Sequence, residues 1–410
     1  MPPISVLADY LLSVARSLSG AAEGLRIGFN KEGTVATRQH LLRLATDLID
    51  YVARPEDKLM VWLPVLAHLT AIRLFIKWGA FEKIPTAEGT STSFRELAAE
   101  LKADRALIAR VGRVLVANGT LARAGDDRIT HTVFSKTLAT ETPIWAMAQV
   151  GFDNGLTSFS AMPKYFEQHG IDNEPNDRFQ TILSFAEGAM GSTAWAINHS
   201  SPERLKVIML AMASIDEYLP ALGSYDLGWV VREGGRLPEQ TLVVDVGAGG
   251  GQTLKKILKA TPGLDPMRCV LEDLPEVVAV VEGQKDAELV GVKMVGMDFF
   301  KEQPIKGALV YYMRRCLHDY SDDECLAMLK PTVAAMSNDS RLLVVEMPVG
   351  TQPTRLQASM DLMMMAISGK ERTMDEYREL LGKAGLVVIE AVPNTVGGTV
   401  IECAVDNRAR

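Results

Sequence analysis

From Thr241 onward the chain alternates between two kinds of segment. Short apolar runs ("LVVDVG", "RCVLEDLP", "VKMVGMDFF", "ALVYYMRRCLHD", "RLLVVEMPV", "VVIEAVP") are separated by helix-like stretches such as "GQTLKKILKATPG", "LPEVVAVVEGQ", "SDDECLAMLKPTVAAMS" and "TMDEYRELLGKAGL". Near-continuous apolar runs are strands buried on both faces, and strand alternating with helix argues for a parallel sheet covered on each side. Residues 236–410 are therefore predicted to form one Rossmann-like α/β domain. In such a sheet the ligand crevice lies outside the carboxyl ends of the strands. The residues that close each run are the candidates for chemistry.

Roughly the first 225 residues read as helical, with one short exception. "MPPISVLADYLLSVARSLSG" has no basic start and no sustained apolar core, so it reads as an amphipathic helix and not a leader. "VWLPVLAHLTAIRLFIKWGAFEKIP" is apolar on nearly all sides and predicts a buried helix from about Leu63 to Trp78. "TSFRELAAELKADRALIARVGRVLVANGTLARAGDDRITHTVFS" then reads helix, turn, helix, Gly119, short strand, a Gly125-Asp126-Asp127 turn and a second strand, the order of a winged helix. Its second helix carries three arginines but also a heavy apolar face, and no Lys/Arg cluster follows in the wing. A packing or dimerisation module is expected there, not a DNA reader. The predicted divisions are a helical arm over 1–60, the winged-helix-like module over 61–145, a helical substrate region over 146–235 and the sheet domain over 236–410.

Composition narrows the classes further. The chain is 47% hydrophobic and 23% charged over 410 residues, which argues against disorder. A net charge of −8 gives no reason to expect nucleic acid or an anionic membrane as partner. No run reaches about 18 uninterrupted apolar residues, so no membrane span is expected. Cys269, Cys316, Cys325 and Cys403 form no CxxC pair, and Cys269 and Cys403 lie in apolar runs; this reads as reduced thiols in a cytoplasmic protein. No metal site is expected.

The first strand ends in Gly247-x-Gly249-Gly250-Gly251. A dinucleotide fingerprint wants its third glycine at 252, which is Gln252, and no Gly-Lys-Ser/Thr phosphate cradle is present. Asp273 closes the next strand, 22 residues after Gly251, where a carboxylate can accept from both hydroxyls of a ribose. Asp298 and Phe299 close another, an acid and an aromatic suited to the amino group and the face of an adenine. Ribose plus adenine without a phosphate cradle is what S-adenosylmethionine (SAM) presents.

"VVDVGAGGG", "EDLPEVV", "MDFF", "LHDYSDDEC" and "SGKERT" occur in the order and spacing of the SAM-dependent O-methyltransferases that include plant caffeate and flavonoid enzymes and many fungal secondary-metabolite enzymes. The resemblance runs from roughly Val65 onward. It implies a winged-helix dimerisation domain ahead of the SAM-binding domain, and a homodimer exchanging its N-terminal helices. It implies cofactor contacts at Gly247, Gly249, Gly251, Asp273, Leu274, Asp298, Phe299 and Arg314. It further implies His318 as general base, Glu346 and Glu371 beside it, and Met364 against an aromatic acceptor. The chemistry is consistent: a phenol with pKa near ~10 needs a base to become a nucleophile, and an imidazole near ~6.5 can serve. Asp319, with Ser321, is expected to cap the helix starting at Asp322. Two other readings stay open. Some fungal relatives use bound SAM only as a fixed positive charge for dehydration or pericyclic chemistry, and the winged helix could serve a non-enzymatic regulator.

Overall fold

The computed structural model describes residues 4–27, 31–212, 220–236, 238–394 and 398–406, which fall into two compact units, Met1–Thr140 and Glu141–Arg410. The first three residues of the expected N-terminal helix lie outside the described residues.

The first unit opens with three long helices, α1 (Ile4–Ile27), α2 (Lys31–Val52) and α3 (Pro55–Lys77). Then follow β1 (Thr92–Ser93), α4 (Phe94–Glu100), α5 (Arg105–Ala117), β2 (Leu121–Arg123) and β3 (Arg128–His131), with an antiparallel sheet of order β1-β3-β2. This is the winged-helix order, with β1, only two residues long, unforeseen. Ser93 caps α4 in a capping box with Glu96, and Asp104 caps α5, so both helices start where a side chain satisfies their first N–H groups.

The expected buried helix differs in extent and environment. α3 starts at Pro55, with Glu56 and Asp57 in its first turn, and only Ala71, Ile72, Phe75 and Ile76 are buried. Leu59, Met60, Val61, Trp62, Leu63, Val65, Leu66 and Leu69 are exposed. A helix apolar all round needs partners all round, and this unit supplies them only near its C-terminal end. α3 is the one helix among the described residues long and apolar enough to cross a membrane by length and composition.

The second unit carries helices up to Gly234 and then a seven-stranded sheet: β4 (Val243–Val246), β5 (Cys269–Asp273), β6 (Lys293–Gly296), β7 (Val310–Arg314), β8 (Arg341–Glu346), β9 (Leu386–Pro393) and β10 (Thr399–Val405). The spatial order is β6-β5-β4-β7-β8-β10-β9, parallel from β6 to β8. Alternate residues feed two cores: Val244, Tyr311, Met313 and Val344 on one face, Val243, Tyr312, Leu343 and Val345 on the other. The wholly parallel sheet expected from the alternation holds for five strands. β10 is antiparallel to both β8 and β9, because the chain returns from β9 by a short connection, which can join only antiparallel strands. The strand order reverses between β4 and β7, so the turns that follow those two strands adjoin at the switch point.

Candidate active site

β4 ends because four of the next five residues are glycine. Gly247, Gly249 and Gly251 have φ of +74°, +56° and +74°, a region that side chains with a Cβ avoid. Gly247 also lacks room: a Cβ there would lie 2.8 Å from Cys316 Sγ and 3.8 Å from the Phe299 ring. The N–H groups of Gly247 and Ala248 donate to the Glu272 carbonyl at 2.9 and 3.0 Å, and Gly251 then starts helix Gln252–Ala260. Asp273 closes β5 and faces this turn. Its Oδ2 accepts from Gly249 N–H and its Oδ1 from Leu274 N–H, both at 2.7 Å. Burial pushes the Asp273 carboxyl up, and those two N–H groups oppose the rise.

Asp298 and Phe299 lie in the loop after β6. Asp298 accepts from Phe300 N–H at 3.0 Å and so shapes its own loop, while Phe299 meets Tyr320 edge-on with ring centroids 5.8 Å apart. Arg314 ends β7 and donates to Thr253 Oγ1 at 3.2 Å, in the first turn of the helix that the glycines open.

The catalytic candidates assemble beyond β7. Arg315 turns the chain with φ +57°, and Leu317–Asp319 form a single 3₁₀ turn that buries His318 to 4% exposure. His318 Nδ1 lies 3.1 Å from Glu371 Oε1, and Nε2 lies 3.2 Å from Asp319 Oδ1. Of the two carboxylates expected beside the ring, Glu371 bonds it directly. Glu346, at the end of β8, instead accepts from the Leu317 N–H at 3.0 Å and so holds the backbone of the same turn. Asp319 does not cap the following helix. Ser321 and Glu324 close that cap, which leaves Asp319 free to face the imidazole.

The "SGKERT" segment owes its composition to this turn. A Cβ on Gly369 would collide with the backbone of His318 and Asp319. Lys370 N–H donates to the His318 carbonyl at 2.8 Å, and Glu371 N–H donates to Asp361 at 3.0 Å. Arg372, 1% exposed, donates to the carbonyls of Leu317 and Tyr320 and to Asp322. Thr373 caps the next helix, Met374–Lys383. The segment thus clasps the residues on both sides of His318.

Four ionisable neighbours surround the imidazole: Asp319, Glu346, Glu371 and Arg315. Burial and Arg315 push the imidazole pKa down, but the three carboxylates outweigh them and leave it raised. Burial alone would raise Glu371, yet the bond to His318 and the charges of His318 and Arg315 hold it at about 2. Asp319 and Glu346 are pushed up by burial against the same two cations. Chemically, the arrangement is an imidazole whose Nδ1 is held by one carboxylate and whose Nε2 faces a second acid.

Met364 is buried on helix Arg355–Met365. Its neighbours diverge: Met363 lies against Gly155, and Met365 packs on the cluster of Met162, Tyr165 and Ile182. Sequence reasoning missed Arg315 and the buried acids Asp245 and Glu272. Burial pushes both of these acids up to about 7. An acid inside an apolar strand run was the available signal. Among the described residues no group of three or more His, Cys, Asp or Glu is placed to hold a metal.

The sequence profile of the O-methyltransferase domain matches residues 173–387. Methyltransferase cfoD of Aspergillus candidus is 35% identical over 376 residues, 90% of this chain and 92% of that protein. Among solved structures, OxaC in complex with sinefungin and meleagrin has a TM-score of 0.81 at 23% identity, covering 97% of this chain and 98% of that one. A LepI complex with SAM has a TM-score of 0.77 at 21% identity, covering 96% and 99%. Both structures share the fold. With the domain profile over 173–387 and a relative 35% identical along 90% of its length, the chain belongs to the O-methyltransferase family.

Proposed function

We propose that the protein is a SAM-dependent O-methyltransferase acting on a phenol or enol hydroxyl of a small secondary metabolite, with His318 as general base. The observation that carries this reading is His318 bonded to Glu371 and facing Asp319 beside the glycine turn at the switch point of the sheet.

The residues present fit the cofactor. The left-handed turn at Gly247, Gly249 and Gly251 brings main chain rather than side chains to the end of β4, beside Asp273. Asp273 has each oxygen in one hydrogen bond, with lone pairs left for two ribose hydroxyls. Leu274, Asp298, Phe299 and Arg314 complete the proposed contacts, the acid and the aromatic toward adenine. When bound, SAM supplies a methyl group on a positively charged sulfonium. The surrounding carboxylates outnumber Arg315 and favour that charge. His318 donates from Nδ1 to Glu371, so Nε2 carries the lone pair that takes the acceptor hydroxyl proton. Asp319 then receives a hydrogen bond from the new Nε2–H. Glu346 keeps the turn in register through Leu317 N–H. Met364 is assigned to the acceptor ring, where a thioether packs adaptably.

The exposed apolar face of α3 is assigned to a homodimer through the N-terminal helices, with no bilayer or nucleic-acid partner, in a cytoplasmic enzyme. The division of labour follows: arm over 1–60, winged-helix module over 61–145, substrate helices over 146–235 and catalytic sheet domain over 236–410. The deciding experiment is incubation with methyl-labelled SAM and a panel of phenols and enols. Label should pass to an acceptor oxygen, and His318→Ala should abolish the transfer. Turnover of a metabolite with no label leaving the cofactor would replace this reading with SAM-assisted dehydration or pericyclic chemistry.

A further inference from the structure

Arg315 is an arginine where the fold makes one expensive. Its backbone is in the left-handed region, at φ +57°, and its side chain is 12% exposed. Its N–H donates to Val345 O at 3.0 Å, which pins this conformation against β8. Its Nη1 reaches Glu371 Oε1 at 3.3 Å, and that same oxygen lies 3.1 Å from His318 Nδ1. One carboxylate oxygen is therefore divided between the imidazole and a guanidinium.

The groups that face this cluster come from every element around it. Asp319 and Cys316 flank His318 on its own turn, Glu346 comes from the end of β8, Glu371 from the clasping segment, and Tyr377 from helix Met374–Lys383. The segment's other guanidinium, Arg372, is committed to three carbonyls and Asp322. Without Arg315 the imidazole would face three acids alone, and a base that stays protonated cannot take a proton.

We infer that Arg315 is a positioning residue for methyl transfer: by competing with His318 for Glu371 Oε1, it weakens the hold of that carboxylate on a protonated imidazole, so that the ring gives up its proton at a lower pH than it would without Arg315. The inference rests on His318 being the base, and its claim on the imidazole is separable from that reading. The left-handed backbone supports it, because a residue kept there despite its Cβ is kept for its side chain.

The test is an NMR titration of the full-length protein labelled at histidine. His318 is assigned among the six histidines by its loss in His318→Gln. Arg315→Gln should raise the His318 midpoint by about one unit or more, and Arg315→Lys should restore it most of the way. The acid limb of the methyl-transfer rate should move up by the same amount in Arg315→Gln, with activity recovering at high pH. Arg315→Gly relieves the backbone while removing the charge, and it should show the same shift if Arg315→Gln does not fold. An unmoved midpoint in a folded neutral variant overturns the inference. So does an equal loss of rate at every pH, or failure of both neutral variants to fold, which would assign Arg315 to stability. A shifted midpoint in a protein that transfers no label would leave the inference standing and remove His318 as the base for methyl transfer.

Discussion

A Cβ placed on Gly369 would lie 2.3 Å from the carbonyl oxygen of His318. The requirement for glycine is steric, since the clasping segment must pass this close for Lys370 to bond His318 and for Glu371 to reach the ring. Gly369→Ala should cost about 1–3 kcal/mol of stability, as overpacking does. It should also lower methyl transfer far more than cofactor affinity. Calorimetric unfolding and a labelled-methyl assay check the two parts separately.

His318→Ala should reduce methyl transfer by about 10²–10⁴-fold while SAM affinity stays nearly unchanged, because the ring acts on the acceptor. In the native enzyme the imidazole pKa is raised. The base must be neutral, so the rate should climb with pH through a midpoint above the ordinary ~6.5. That step should vanish in the mutant. A rate that is flat from pH 5 to 9 would remove His318 from the reaction.

Asp273→Ala should abolish calorimetric binding of SAM and of its demethylated product, since it removes the carboxylate that bonds both the Gly249 and the Leu274 N–H groups. Tight binding of NADH with none of SAM would overturn the cofactor assignment.

Glu272→Gln should stabilise the protein at alkaline pH. Glu272 is fully buried and accepts from Gln303 at 2.8 Å, and burial pushes its pKa to about 7 from 4.5. A carboxyl raised in the folded state binds its proton more tightly there than in the unfolded chain. Stability is therefore lost as pH rises from about 4.5 through about 7. The neutral amide escapes this loss, so the gain at pH 8 should approach roughly 3 kcal/mol and shrink toward zero near pH 4. Thermal unfolding at both pH values measures it.

Leu63→Glu, at the exposed apolar face of α3, should convert a dimer to a monomer with little change in far-UV circular dichroism. Sedimentation at micromolar concentration reads the difference. A native chain that sediments as a monomer without detergent would count against the dimer, and one that partitions into membranes would argue for the bilayer.

The sheet was legible because β4, β5, β7 and β8 are buried on both faces and so read as unbroken apolar runs. The glycine turn was legible because the left-handed backbone leaves a compositional trace. β10 was not marked out, since "TVIECAV" follows a short connection and carries a glutamate at its centre. Arg315 was illegible for a different reason. A charged residue at a strand end reads as a solvated surface residue, and only tertiary structure brings Glu371, 56 positions later, against it. Asp319 was misread because an acid three residues before a helix is a good cap by local rules, and Ser321 had already met that need. α3 misled in the opposite direction: its apolar content was plain, but no local signal says whether neighbours of the same chain cover it.

The place of β10 has a consequence for biosynthesis. This strand is translated after the other six, yet it inserts between β8 and β9, with Thr399 paired to Glu346. At about 5–20 residues per second, the Glu346 strand emerges from the ribosome with an unpaired edge and keeps it until Val405 has followed. A nonsense codon after Pro393 would leave His318, Glu346, Glu371 and every glycine of the turn in the product. It would still abolish function, because the strand that closes the edge beside Glu346 would never be made.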